Sequence, residues 1–141
     1  MASRRKGRIL AIQALYSWEV KKGSPGDALD LSWLEPGKQE ALGLETVAFS
    51  RLLVSGTIEN IKAVDAMIRD HLKRWDFSRI KRVDLSILRV SVYTLMYQTD
   101  IHPSIVIQEA IELCNEFGTD ESYRFVNGIL DGIRKTLQEK G

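Results

Sequence analysis

Cysteine occurs once, at Cys114, so no internal disulfide can form and nothing points to an oxidising compartment. The two histidines, His71 and His102, lie far apart without ligand-like spacing, which leaves zinc sites and catalytic triads without their usual donors. Gly37-Lys38 is the nearest approach to a phosphate loop, but Ser32 and Gln39 stand where such a loop needs Gly and Ser or Thr. No dinucleotide-binding fingerprint is present. No apolar run reaches the roughly 18 residues of a membrane span, and Met1-Ala2-Ser3-Arg4-Arg5-Lys6 lacks the apolar stretch of a secretion signal. These absences lead to the expectation of a soluble, cytoplasmic protein that is not an enzyme, with no metal and no cofactor.

Prolines are confined to positions 25, 36 and 103, and strand-type alternation is scarce. Helical spacing takes its place, in a chain whose 141 residues suit one domain, 1–141. The pattern predicts a helix from about Arg4 or Gly7 to Lys22, ended by Gly23-Ser24-Pro25-Gly26, and a short one from about Asp27 to Leu34, closed by Pro36-Gly37. Helical spacing then continues from Lys38 to Trp75, with Ser55-Gly56 as the expected break. Between Ile80 and Tyr97, apolar residues cover almost the whole circumference, the mark of a central helix packed on several sides. Arg89 lies within it and needs a buried carboxylate; Glu109, at the edge of the next apolar face, is the candidate. The helix ending near Phe117-Gly118 has Pro103 in its first turn and a two-faced pattern. Val106, Ile107, Ala110, Ile111, Leu113, Cys114 and Phe117 face inward, while Gln108, Glu112, Asn115 and Glu116 face out. Cys114 thus reads as a small core residue, not a nucleophile. Thr119 or Asp120 would cap a last helix reaching about Gln138. The expected fold class is all-α, two small helical bundles sharing one core, with about seven helices.

Charge is unevenly divided. In the first 22 residues, Arg4, Arg5, Lys6, Arg8, Lys21 and Lys22 stand against Glu19 alone, a net +5, and the rest of the chain is net −4. That asymmetry points to a focal contact with a polyanion rather than a coating of nucleic acid. The basic arm leads into a helix whose polar strip holds Lys6, Gln13 and Ser17, bordered by Tyr16. Guanidinium forks suit phosphates and aromatic faces suit unstacked bases, a combination used by single-stranded RNA sites. A solvated, frayed terminus is the other reading of the arm, and core packing the other reading of Tyr16. In the last helix Val126, Ile129, Leu130, Ile133 and Leu137 form the core stripe. Phe125 falls outside it with Glu121, Gly128 and Gly132, and Arg124 sits beside it. Phe125 either receives a neighbouring helix or stays open to a base.

Four segments carry a resemblance: Gln13-Ala14-Leu15-Tyr16-Ser17-Trp18, Ser86-Ile87-Leu88-Arg89, Ile107-Gln108-Glu109-Ala110-Ile111-Glu112-Leu113 and Phe125-Val126-Asn127-Gly128-Ile129-Leu130-Asp131. In this order, with the Arg-rich start, they resemble the NusB family over nearly the entire chain. The resemblance implies an all-helical, two-bundle transcription antitermination factor. Its partners would be the boxA element of nascent ribosomal RNA, NusE (a small-subunit ribosomal protein) and the antitermination complex on elongating RNA polymerase. It implies an RNA surface on Arg4, Arg5, Lys6, Arg8, Gln13, Tyr16, Glu121, Arg124 and Phe125. Two departures stand out. Gly7 interrupts the basic run and lowers its helix propensity, so the arm is expected to order on RNA. Thr94 stands where relatives commonly carry Glu. A helical protein–protein adapter without specific RNA readout is the alternative.

Overall fold

The computed structural model describes residues 3–22, 37, 41–73 and 76–140. Among them are six α-helices, one 3-10 turn and no strand. The helix expected at Asp27–Leu34, the stop at Gly23–Gly26, Pro36 and Trp75 lie outside the described residues. No helix among the described residues is long and apolar enough to cross a membrane.

Helix α1 (Arg4–Lys21) starts at Ser3, whose Oγ accepts from the Lys6 N–H at 3.2 Å. The basic run is therefore the first turn of a helix and not a separate arm. Gly7 does not interrupt it, because packing decides: a Cβ there would lie 2.6 Å from Phe49 Cδ2, so the glycine admits the ring of a neighbouring helix. That neighbour, α2 (Leu44–Glu59), follows Gly43, which takes the left-handed φ of 90° open to glycine. The break expected at Ser55-Gly56 falls at Asn60 instead, where α3 (Ile61–Asp70) begins. Gly56 stays helical and buried against the Tyr93 ring. A short 3-10 turn (Phe77–Arg79), capped by Asp76, leads into α4 (Arg82–Tyr97).

Helix α4 packs against α1, α2 and α3, and against α5 (Pro103–Phe117) and α6 (Ser122–Lys140). Its all-round apolar pattern thus has the expected cause, and Leu85, Ile87, Leu88, Val92 and Leu95 enter one continuous core fed by both bundles. Pro103 begins α5 and Gly118 ends it, while His102 Nδ1 accepts from the Ser104 N–H. Within α5, Val106, Ile107, Ala110, Leu113 and Cys114 are buried, but Phe117, at the last position, is 41% exposed. Helix α6 starts at Ser122, later than Thr119 or Asp120 would set it, so Asp120 and Glu121 lie in the turn before it. Ser122 Oγ accepts from the Thr119 N–H at 2.9 Å across that turn.

Arg89 is 5% exposed and paired, but not with Glu109. Its Nε and Nη2 donate to Asp65 of α3 at 3.0 and 2.9 Å, and Nη1 donates to Glu19 of α1 at 3.0 Å. The reason is orientation: Arg89 projects toward α3 and α1, while Glu109 of α5 meets Arg8 of α1. Thr94 is buried and satisfies its hydroxyl within α4, donating to the Val90 carbonyl at 2.8 Å.

Candidate nucleic-acid interface

The first turn of α1 separates its cations. Arg4 and Lys6 are exposed. Arg5 reaches across to α5, pairing with Glu112 at 3.3 Å and with Glu116. Arg8, expected at the interface, is only 7% exposed, with Nη1 2.6 Å from Glu109 Oε2. Burial lowers its pKa and the Glu109 charge opposes that shift. Arg8 is therefore a cation of the interior, fastening α1 to α5, and not one available to phosphates. Arg5 meets Glu112 and Glu116 in the last turns of α5, and Arg8 meets Glu109 about one turn earlier. The N-terminus of α1 thus lies beside the C-terminus of α5.

Farther along α1, Gln13 and Tyr16 are exposed, Tyr16 at 40%, so Tyr16 is not a core residue. At 100° per residue Gln13 falls within about 20° of Lys6, and Tyr16 within about 20° of Arg5. Tyr16 lies roughly 16 Å up the axis from Arg5, at 1.5 Å per residue. Gln13 and Tyr16 thus continue along α1 the sides that carry Lys6 and Arg5 in the basic turn.

The turn after α5 leads to the second part of the site. A cavity of about 360 Å³ opens where α4 and α6 begin, lined by Arg79, Ile80, Lys81, Asp84, Glu121, Arg124 and Phe125. Glu121, Arg124 and Phe125 are thus brought together as expected. Phe125 is half-buried, packed on the edge of the core, while Glu121 and Arg124 are exposed. Both neighbouring helices present their N-termini here, the ends whose free N–H groups favour anions. Lys81 Nζ donates to Thr119 Oγ1 at 3.2 Å, tying the entry of α4 to the turn before α6. Asp84 is 5% exposed, and its Oδ1 has no hydrogen-bond partner among the described residues. Burial, together with the Asp84 charge, pushes the Cys114 thiol up to about 12, so it remains protonated and unreactive at neutral pH.

Four lining residues, Arg79, Ile80, Lys81 and Asp84, escape the reading of the sequence. The signal for them was present: Arg79, Lys81 and Arg82 place three cations within four residues, a density second to the N-terminal run. That cluster merges with the core-facing start of α4, and the apolar pattern there draws the eye to packing.

A sequence profile of the NusB family matches residues 5–135. The transcription antitermination protein NusB of Treponema denticola is 48% identical over 93% of this chain and 95% of its own length. A solved structure of Thermotoga maritima NusB superposes with a TM-score of 0.83 at 31% identity, covering 96% of this chain and 93% of that one. The antitermination factor NusB solved with NusE and double-stranded RNA shares the fold at a TM-score of 0.78 and 23% identity, over 94% of this chain and 96% of its own. The all-helical architecture, the profile spanning most of the chain and the identity to full-length relatives agree, and the chain belongs to the NusB family.

Proposed function

We propose that this protein is a transcription antitermination factor that binds the boxA element of nascent ribosomal RNA together with NusE. The protein–RNA assembly then joins elongating RNA polymerase. It acts as an adapter, contributing surfaces and no chemistry. Family membership and the NusE-bound fold relative support this reading, and one observation carries the RNA face. The cavity beside Phe125 is rimmed by Arg79, Lys81 and Arg124, at the same end of α5 as the basic turn of α1. Phosphates would meet Arg4, Lys6 and the rim cations, while an unstacked base would enter against Phe125 and Ile80. Asp84 supplies an acceptor for a base N–H group. Gln13 and Tyr16 extend the face along α1. Arg5 joins it by exchanging its α5 carboxylates for phosphate.

The test is Phe125→Ala, titrated with boxA RNA at two salt concentrations, with and without NusE. A stacked ring contributes about 1–3 kcal/mol, so affinity should fall between about fivefold and about 150-fold. The salt slope should stay unchanged, since no phosphate contact is lost. A variant that melts early yet binds RNA normally while folded would return Phe125 to a packing role. Equal, weak binding to every RNA sequence would favour a protein–protein adapter instead.

A further inference from the structure

Phe49, on α2, lies against the basic turn and belongs to no surface described so far. Its ring edge occupies the space that the absent side chain of Gly7 leaves open. The Arg4 guanidinium sits 5.0 Å from the ring centroid and that of Arg8 sits 5.5 Å away. One turn earlier on α2, Thr46 Oγ1 accepts from the Ser3 N–H at 3.0 Å. The first turn of α1 is therefore seated on α2 at two points, a hydrogen bond and a ring.

The two exposed arginines of that turn are held in chemically different ways. Arg5 spends forked N–H donors on Glu112 and Glu116. Arg4 makes no ion pair with a carboxylate of the described residues, and its guanidinium lies against the Phe49 ring. A cation held near a π face is attracted through the ring quadrupole, which leaves the guanidinium N–H edges open for an oxyanion. A carboxylate uses up the very donors that a phosphate requires.

We propose that Phe49 is a positioning residue for RNA, its ring holding Arg4 in a fixed orientation as a ready hydrogen-bond donor to phosphate. Gly7 is the sequence feature that lets the ring reach it. Ordering the side chain before RNA arrives lowers the entropy lost on binding. The inference rests on the RNA-face reading above.

The experiment uses the full chain and a single-stranded RNA containing boxA, titrated at several salt concentrations. Phe49→Leu keeps an apolar side chain beside Gly7 and removes the ring; Phe49→Met does the same without branching, should the leucine variant fold poorly. Either should weaken binding about threefold, the scale of an exposed cation–π contact. The slope of log affinity against log salt should fall by about 0.7, one phosphate contact. Phe49→Tyr, which restores a ring, should recover both. In an Arg4→Ala background, Phe49→Leu should cost nothing further. Losses that multiply in the double variant, or Phe49→Leu and Phe49→Met proteins with wild-type affinity and slope, would overturn the proposal. If Arg4→Ala and Phe125→Ala both bind like wild type, it is the RNA-face reading that fails.

Discussion

Arg4, Arg5, Arg8 and Arg89 differ in what the neighbouring helix offers their guanidinium groups. Arg89 meets two carboxylates, Asp65 and Glu19, and is also near the rings of Trp18 and Phe77. Burial alone would lower its pKa, but the hydrogen bonds and charges of those carboxylates outweigh it and the pKa is raised. Asp65 holds two of the donors, so Asp65→Ala leaves a buried cation with Glu19 as its only carboxylate among the described residues. The expected loss is about 3 kcal/mol, the lower end for a broken buried pair because Glu19 remains. Urea unfolding measures it; a loss below about 1 kcal/mol would mean that water reaches the guanidinium. That Arg89 requires a carboxylate was legible in the sequence, because it interrupts an apolar helix. Which carboxylate was not, since a helical wheel gives the angle of a residue on its own helix and not the neighbour it meets. The same limit hides the burial of Arg8, whose place in a basic run looks like solvent exposure until Glu109 is set beside it.

At the scale of helices, the glycines separate local preference from packing. Gly56 sits in the interior of α2, where alanine would be the better helix former by roughly 1 kcal/mol. An added Cβ would lie 2.2 Å from Tyr93 Cζ, however, and that ring is itself held against Tyr97 with centroids 5.6 Å apart. Forcing a methyl group into a packed site costs typically 1–3 kcal/mol, so Gly56→Ala should destabilise by about 1 kcal/mol after the helix gain is deducted. Gly128 in α6 has no atom within 4 Å of an added Cβ. Gly128→Ala should therefore raise stability by about 0.5–1 kcal/mol. Melting temperatures of the two variants should move in opposite directions; two shifts of the same sign would remove the explanation. Most helices were readable from their spacing, and α4 was identified as central from its wheel alone. The break placed at Ser55-Gly56 failed because a glycine needed for close approach looks the same in sequence as one that ends a helix.

Over the whole molecule, the fold gathers positive charge where the linear sequence shows only part of it. The N-terminal excess was visible by inspection. Its junction with Arg79 and Lys81 was not, because it depends on the end of α5 lying beside the basic turn and on the turn after α5 returning to the start of α4. Folding also withdraws charge: Arg8 is interior, and Arg5 is engaged by Glu112 and Glu116. The free protein then presents Arg4, Lys6, Arg79, Lys81 and Arg124 at this end. At about 0.7 per phosphate on a single strand, these five contacts and the one Arg5 gains by exchange set a salt slope no steeper than about −4.2. A double Arg79→Ala, Lys81→Ala variant should reduce it by about 1.4. Lys62→Ala should leave it unchanged, since Lys62 follows the C-terminal end of α2 while the basic turn packs on the N-terminal half. Arg8→Met should also keep the slope, whatever it costs in stability, because that cation never reaches a phosphate. Fluorescence titrations of these variants against boxA RNA between low and physiological salt test the set together. A wild-type slope twice as steep, or an Arg79/Lys81 variant that keeps it, would mean that RNA phosphates are met elsewhere on the surface.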